Sequence, residues 1–291
     1  MSNCKIVLSL SLLFLMACSK DKDENTIITD PPMGFVNKKG VDFNTASTNG
    51  SWYGNVVNLK SYWFYTWGTT LPFEKQPNNA EFVTMFWGKG NVTDENIAYV
   101  KKWKDSGRIK YVLGFNEPDL ADQSNMTVDE ALALWPKLES IGLPLGSPAA
   151  SWPTRDWIYS FMDKAIAQNR RVDFICVHMY VGLDDVDFVK VLRALYEKYH
   201  KPIWITEFAT ADQDAKTMEA NRYTAEQVQA FMQRLLPQLD SIPFIQRYSW
   251  FSGSPTSTRL WPSALVKADS TLTPLGKYYS EFKPNTTVTA R

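Results

Sequence analysis

The stretch Leu-Gly-Phe-Asn-Glu-Pro-Asp, residues 113–119, leads from an apolar run to a carboxylic acid and then to a proline. Proline ends a ladder of strand hydrogen bonds, so the run predicts a short buried strand that stops at Glu117. A second apolar run, Pro-Ile-Trp-Ile-Thr-Glu-Phe-Ala at residues 202–209, also reaches a single glutamate, Glu207. In a barrel of parallel strands, the C-terminal strand ends share one face, and active sites lie there. The two stretches therefore predict Glu117 and Glu207 on one face of a barrel.

Short apolar runs alternate with segments of helical periodicity along the rest of the chain, as in repeated βα units. We predict eight strands, at residues 39–43, 62–67, 81–87, 111–117, 143–147, 173–180, 202–207 and 245–251. Helices are predicted at residues 94–105, 128–141, 155–169, 185–200 and 224–236, and a short hairpin within residues 264–279 leads into a final helix. Residues 68–80 contain two prolines and no helical period. The predicted fold is α/β, an irregular (β/α)8 TIM barrel that lacks the helix between its second and third strands.

The N-terminus has the features of a bacterial lipoprotein signal. An apolar run from Ile6 to Ala17 follows Lys5 and is too short to span a bilayer as a mature helix. Leu-Met-Ala-Cys at residues 15–18 resembles a lipobox, which predicts removal of residues 1–17 and acylation of Cys18. An ordinary signal peptide cut elsewhere is the alternative. Residues 18–33 are then a flexible tether, and residues 34–291 are a single catalytic domain.

This reading predicts an outer-membrane lipoprotein that is attached by lipid rather than by a transmembrane helix. The charged residues 19–24, Ser-Lys-Asp-Lys-Asp-Glu, resemble acidic signals for export to the cell surface. They favour the outer face, and the sequence leaves the periplasmic face open as the alternative. With Cys4 removed and Cys18 acylated, Cys176 is the last of three cysteines, so no intramolecular disulfide is expected.

The amino-acid composition limits the classes of molecule that the protein is expected to bind. Lys plus Arg and Asp plus Glu each total 31, and long basic runs are absent, so nucleic acid is not an expected partner. The chain has 11 Trp, 13 Tyr and 16 Phe, and aromatic rings stack on the apolar faces of sugars. Part of this aromatic content is equally suited to the core. We expect no metal or cofactor, because His178 has no metal-ligand partners in the sequence pattern and His200 lies at a helix end.

Two strand-end glutamates are typical of glycoside hydrolysis. One carboxyl group must donate a proton to the leaving oxygen, and the other must attack or activate water. On strands at opposite sides of a barrel, Glu117 and Glu207 can flank one bond. Strand alternation predicts that Ile203, Ile205 and Glu207 share a face. Each glutamate alone could instead be a surface residue or an ion-pair partner.

Other candidate site residues surround this pair. Asn116 can hydrogen-bond a sugar 2-hydroxyl, although it could simply cap a turn. His178 is a candidate sugar contact or a hydrogen-bond partner that tunes a glutamate, with a satisfied core histidine as the alternative. Tyr180 could hold an oxygen of the nucleophile. Candidate stacking platforms at strand ends are Trp67, Trp87, Trp250 and Phe251, with Trp152 and Trp157 as weaker candidates.

The successive motifs resemble glycoside hydrolase family 128. They are residues 38–41, Lys-Lys-Gly-Val; 65–68, Tyr-Thr-Trp-Gly; 81–88, Glu-Phe-Val-Thr-Met-Phe-Trp-Gly; 113–119; 145–149, Leu-Gly-Ser-Pro-Ala; 173–180, Asp-Phe-Ile-Cys-Val-His-Met-Tyr; and 203–209. The resemblance implies a retaining endo-β-1,3-glucanase, with Glu117 as the general acid/base and Glu207 as the nucleophile. The sequence departs from the family pattern at Thr66, where asparagine is expected, and in residues 252–263.

The expected partner is β-1,3-glucan, as polysaccharide or oligosaccharide. Two alternatives remain open from the sequence. One is a glycosidase acting on another β-glucan, of mixed-linkage or β-1,4 type. The other is a non-catalytic lipoprotein that binds β-glucan at the cell surface.

Overall fold

A computed structural model describes Met1, residues 37–44 and residues 52–291. The predicted signal peptide, Cys18 and the tether lie outside these residues. Among the described residues, the helices are too short or too polar to cross a membrane.

Parallel strands form the centre of the described residues. They are β1 (Lys39–Asp42), β2 (Trp63–Tyr65), β3 (Glu81–Phe82), β4 (Thr84–Met85), β5 (Val112–Leu113), β6 (Ile175–Val181), β7 (Ile203–Thr210) and β8 (Ile245–Trp250). One sheet has the order β3-β2-β1-β8-β7-β6, and a second pairs β4 with β5. Only Val83 separates β3 from β4, and both lie within the predicted strand at residues 81–87. This segment therefore connects the two sheets.

Single parallel bridges, Val112 to Leu145 and Gly146 to Phe174, connect β5 to β6 through the predicted fifth strand. Parallel pairing therefore passes through all eight predicted positions, and the prediction of an irregular α/β barrel is confirmed. The prediction of a regular strand at residues 143–147 was wrong. Pro144 lies within this segment and Pro148 follows it, and both lack the N–H group that a longer ladder needs.

Helices follow most of the strands. They are α1 (Trp52–Asn58), α2 (Asp94–Asp105), α3 (Val128–Glu139), α4 (Asp156–Ala167), α5 (Asp185–Tyr199), α6 (Ala225–Ser241) and α7 (Pro274–Glu281). The segment between β2 and β3 contains only a 3-10 turn at Phe73–Lys75, which confirms the missing helix. Helix α1 was not predicted, and α6 continues past Pro237 to Ser241, five residues beyond its predicted end at Leu236.

Side chains pack in two layers. The smaller cluster fills the barrel interior and includes Trp63, Tyr65, Cys176 and Trp204. The larger cluster lies between the strands and the helices. Near the N-terminal ends of the strands, the Arg247 guanidinium lies 4.4–5.4 Å from the ring centroids of Trp204, Tyr111 and Trp63. The interior is therefore a packed core, and the cleft that holds the two glutamates lies at the C-terminal ends of the strands.

Two buried lysines at the start of β1 fasten the strand to helix ends. The Lys38 ammonium donates to the carbonyls of Leu239, Asp240 and Ile242 at the C-terminus of α6, at 2.7–3.2 Å. The Lys39 ammonium donates to the carbonyls of Tyr279 and Ser280 in α7, at 2.8 and 3.0 Å. These bonds satisfy carbonyls that the helices cannot pair internally. Burial lowers the pKa of Lys39 from 10.5 to about 7.

The low pKa of Lys39 predicts a pH dependence of stability. Between about pH 7 and 10.5 the unfolded chain keeps the Lys39 proton and the folded chain loses it, so the free energy of unfolding rises with pH. We expect the stability of the wild type relative to Lys39→Met to increase with pH across this window, with a slope of up to about 1.4 kcal/mol per pH unit. Urea denaturation of both proteins at several pH values measures it. A difference that stays constant from pH 7 to 10 would contradict the buried, weakly basic lysine.

Candidate active site

A β-bulge turns Glu207 into the barrel. In the pairing of β6 with β7, Val177 lies opposite Ile205 and His178 lies opposite Glu207, so Thr206 is an extra residue. The register between β7 and β8 shifts over the same residues. A bulge reverses the alternation of the side chains that follow it. The prediction that Ile203, Ile205 and Glu207 share a face was therefore wrong, because both isoleucines belong to the outer cluster.

Three hydrogen bonds hold the Glu207 carboxylate. Oε1 accepts from the Trp67 indole N–H at 2.7 Å and from the Tyr65 hydroxyl at 3.1 Å. Oε2 accepts from the Tyr180 hydroxyl at 2.5 Å. Glu207 is only 5% exposed, and donors at both oxygens compensate for much of the lost hydration. The carboxylate is thus fixed in orientation before any ligand arrives.

His178 lies between the two glutamates and is fully buried. Its Nδ1 is 2.9 Å from Oε1 of Glu117, and its Nε2 is 3.4 Å from Oε1 of Glu207. Burial alone would lower the pKa of His178, but the charges of Glu207 and Glu117 outweigh it and raise the pKa above its usual value. The geometry favours an imidazolium that pairs with both carboxylates.

Glu117 is positioned by an unusual backbone. It has a φ of 39°, in the left-handed region that non-glycine residues rarely adopt, and its N–H donates to the Ala149 carbonyl at 2.7 Å. Trp67, which holds Glu207, has a φ of 55°. Strained residues of this kind cluster at functional sites because the surrounding structure must hold them in place. Both are residues that the sequence singled out.

The catalytic candidates meet at short range. One oxygen of Glu117, one oxygen of Glu207 and one ring nitrogen of His178 all lie within 4.8 Å of one another. Such a cluster could hold a metal ion only if His178 were unprotonated, because a protonated imidazole offers no lone pair. The raised pKa of His178 favours the protonated form. The arrangement therefore fits acid/base and nucleophilic chemistry better than metal binding.

The pair lies in a cleft of about 1160 Å³. The predicted site residues that line it are Glu117, Glu207, Asn116, Tyr180, Trp67, Trp87, Phe251 and the weaker candidate Trp152. Asn116 donates through Nδ2 to Gln123 at 3.2 Å, while its Oδ1 has no hydrogen-bond partner among the described residues. Asn116 thus lies beside Glu117 with an amide oxygen that is buried and unpaired.

Two predicted ligand contacts are not in the cleft. Trp250 is fully buried in the outer layer, donates to the Ser263 carbonyl at 2.9 Å and packs on Phe208. His178 is also inaccessible, so of its two predicted roles the sugar contact was wrong and the contact with a glutamate is observed. The weaker candidate Trp157 stacks on Phe161 and donates to the Met126 carbonyl, which is a packing role.

The burial of Trp250 predicts a stability effect. Trp250→Ala should lower the free energy of unfolding by about 3–5 kcal/mol, because a large side chain leaves a cavity in a packed layer. Binding of an oligosaccharide by the folded fraction should stay near wild type. Trp87→Ala, in the cleft, is the matched control, with weaker binding and a smaller loss of stability. Calorimetric unfolding and titration measure both. A loss of affinity in Trp250→Ala without a loss of stability would contradict the assignment to the core.

The short bond from Tyr180 predicts a kinetic effect. Tyr180→Phe removes one charge-assisted hydrogen bond to the Glu207 carboxylate, a contribution of about 1.5–3 kcal/mol. We expect kcat to fall by about 10- to 100-fold while the melting temperature changes little. Steady-state kinetics on a soluble oligosaccharide measures it. An unchanged kcat would show that the bond from Tyr180 to the Glu207 carboxylate does not matter for turnover.

The sequence did not single out two residues of the site. Tyr65 donates to Glu207, and the signal for it was its position at the end of β2, two residues before Trp67. Asp42 ends β1 and lines the cleft, but a single aspartate at a strand end carries no distinctive pattern. Both belong to the wall of the barrel mouth.

Comparisons with known proteins agree with this geometry. The sequence profile of the family described as glycosyl hydrolase catalytic core matches residues 40–279. A family 128, subgroup I endo-β-1,3-glucanase from Amycolatopsis mediterranei, solved with laminaritriose, is 35% identical and covers 84% of this chain and 98% of its own, with a TM-score of 0.71. A single-residue variant of that enzyme, solved with laminaripentaose, gives a TM-score of 0.72 at 34% identity, covering 84% of this chain and 99% of its own.

A subgroup II endo-β-1,3-glucanase from Sorangium cellulosum is 25% identical, covers 84% of this chain and 98% of its own, and has a TM-score of 0.66. Alkali-sensitive linkage protein 1 of Schizosaccharomyces pombe is 32% identical over 239 residues, which are 77% of this chain. The chain spans 41% of the length of that curated relative. The fold, the paired glutamates and these matches define a glycoside hydrolase. The chain belongs to the glycosyl hydrolase catalytic core family and, among glycoside hydrolases, to family 128.

Proposed function

We propose that this protein is a retaining endo-β-1,3-glucanase that hydrolyses glucans of the laminarin and curdlan type by double displacement. The observation that carries the proposal is the short separation of the Glu117 and Glu207 oxygens, within 4.8 Å in one cleft. Retaining glycosidases place their carboxyl groups about 5–5.5 Å apart, whereas inverting enzymes leave about 6.5–9.5 Å for a water molecule.

In this mechanism Glu207 attacks the anomeric carbon while Glu117 gives its proton to the leaving oxygen. The products of this step are a glycosyl ester on Glu207 and a shortened chain. Glu117 then removes a proton from water, which attacks the same carbon and releases Glu207 as a carboxylate. The wall residues Tyr65, Trp67 and Tyr180 hold the attacking group in place.

The position of His178 fits this charge movement. During the first step the negative charge leaves Glu207, which becomes an ester, and appears on Glu117, which loses its proton. A histidine that contacts both carboxylates keeps one anionic partner at each stage. His178 can therefore stabilise both states without moving.

The substrate class rests on the relatives and on the cleft. The Amycolatopsis enzymes, which share the fold and about a third of the sequence, bind laminari-oligosaccharides. Aromatic side chains line the cleft: Trp67 donates to Glu207, Phe251 packs on Trp67, and Trp87 accepts from the Asn116 N–H through its carbonyl. Mixed-linkage or β-1,4 glucan remains the alternative substrate, and a non-catalytic glucan-binding protein is the alternative function.

Product analysis separates these possibilities. Residues 34–291 are incubated with laminarin, curdlan, mixed-linkage glucan and carboxymethyl cellulose, and the soluble products are sized. The proposal predicts short β-1,3 oligosaccharides of several lengths from laminarin and curdlan. Release of oligosaccharides from mixed-linkage or β-1,4 glucan alone would assign that glucan as the substrate instead. Binding without products on any polymer would leave only the glucan-binding alternative.

The proposed location is the outer membrane, with Cys18 acylated and the domain outside the cell. The support is the lipobox at residues 15–18 and the acidic tether. Metabolic labelling with radioactive palmitate tests the acylation, since label should enter the full chain and not its Cys18→Ala variant. Protease treatment of intact cells then distinguishes the outer face from the periplasmic one.

A further inference from the structure

Asp42 is a buried acid that the proposed reaction does not use. It is the last residue of β1, is 2% exposed and lines the same cleft as Glu207. Its Oδ2 accepts from the Ser249 hydroxyl of β8 at 2.8 Å, and the backbone of Ser252 also hydrogen-bonds the carboxyl group. One side chain thus joins the ends of two neighbouring strands and the first residue of the loop that follows β8.

The second oxygen of Asp42 is in an unusual position. Oδ1 is buried and has no hydrogen-bond partner among the described residues. An ionised carboxylate with one unpaired oxygen is costly in such a place, whereas a neutral carboxyl group is tolerated far better. The Glu207 charge adds to this cost, and burial together with that charge raises the pKa of Asp42 well above its usual range.

The groups facing Asp42 offer little to offset a negative charge. Glu207 on β7 is anionic, and Tyr65 on β2, Tyr180 on β6 and Tyr279 on α7 are neutral hydroxyls whose own pKa values burial raises. Asp212 shows the opposite arrangement. It is 3% exposed, but the Arg222 guanidinium lies 2.8 Å away and the Arg222 backbone N–H donates to it at 2.8 Å.

We propose that Asp42 is a positioning residue of the active site that works in its uncharged form, tying the ends of β1 and β8 beside Glu207. When Asp42 is uncharged, Glu207 carries the negative charge on this side of the cleft. A second carboxylate there would repel the nucleophile and favour its protonation. The inference rests on the proposed role of Glu207 and adds a residue that acts through it.

Infrared difference spectroscopy tests the protonation directly. The spectrum of the wild type minus that of Asp42→Asn at neutral pH should contain the C=O stretch of a protonated carboxyl group. Carboxylate bands in this difference spectrum would overturn the proposal. The difference spectrum is recorded without substrate, so it tests the protonation of Asp42 even if the protein hydrolyses no glucan.

Kinetics tests the positioning role. Asp42→Ala should lower kcat by about 10-fold or more, the effect of losing one to two hydrogen bonds, with KM little changed. Asp42→Asn, which keeps the shape and cannot ionise, should recover most of that loss. A kcat for Asp42→Asn as low as that of Asp42→Ala would overturn the proposal. Wild type without hydrolysis on any glucan would instead refute the proposed function.

Asp212→Asn is the matched control, because it makes the same chemical change at an acid of similarly low exposure that has a charged partner. There the substitution removes the charge that Arg222 pairs with, so the melting temperature should fall. Asp42→Asn should keep or raise the melting temperature. Equal losses of stability in the two variants would show that Asp42 is ionised and would overturn the proposal.

Discussion

Glu207→Gln should reduce kcat on laminarin by about 10⁴-fold or more, because the amide cannot form the glycosyl ester. The fold should survive, since the amide keeps an oxygen that can accept the 2.7 Å bond from Trp67. Binding should also survive, because the cleft walls are unchanged. Initial rates, the melting temperature and titration with a laminari-oligosaccharide measure the three quantities on the same preparation.

The matched control for this variant is Gln213→Ala, at a cleft position beyond the end of β7. It changes the surface of the cleft without touching Glu207, so its effect on kcat should be small by comparison. Wild-type turnover by Glu207→Gln would contradict the assignment of the nucleophile. Loss of binding together with loss of turnover would show that the amide disturbs the cleft.

Glu117→Gln should have an effect that depends on the leaving group. On laminarin, where the leaving alcohol needs a proton, kcat should fall by about 10²- to 10⁴-fold, the usual contribution of a general acid. On an aryl β-glucoside oligomer with an acidic phenol, formation of the ester should be nearly normal. Comparing the two substrates by steady-state and burst kinetics measures the difference.

Added azide sharpens the test of Glu117. A small anion can attack the glycosyl ester without general base help, so azide should restore turnover of the aryl substrate and yield a β-glycosyl azide. Equal losses on both substrates, without rescue by azide, would contradict the role of Glu117 as the acid/base. An α-glycosyl azide would contradict retention.

The two glutamates were predictable as residues near the C-terminal ends of their strands, although β5 ends at Leu113 and β7 continues past Glu207 to Thr210. Pro118 ends the apolar run that reaches Glu117. The alternation of apolar runs with segments of helical periodicity along the chain predicts the repeated βα units of a barrel. The missing helix after β2 was also predictable, since residues 68–80 contain two prolines and no apolar period. These are local signals, and local signals are what a single sequence carries.

Whether a side chain of a barrel strand points into the barrel or toward the helices was not predictable from such local signals. The bulge at Thr206 accompanies shifts in the pairing register of β7 with both β6 and β8. No residue type in β7 predicts these shifts. Both faces of a barrel strand are apolar, so the sequence does not separate an inward tryptophan from an outward one. The sequence therefore did not distinguish Trp250, which packs in the outer layer, from its neighbour Phe251, which reaches the cleft.

The central claim is that Glu207 forms a covalent ester with a β-1,3-linked glucosyl unit. It is tested most directly by incubating the protein with a 2-deoxy-2-fluoro laminaribiosyl fluoride, which slows hydrolysis of the ester, and mapping the labelled peptide by mass spectrometry. The predicted result is one laminaribiosyl adduct on Glu207, and none in Glu207→Gln. An adduct on another residue, or inactivation by the corresponding cellobiosyl reagent alone, would contradict the claim.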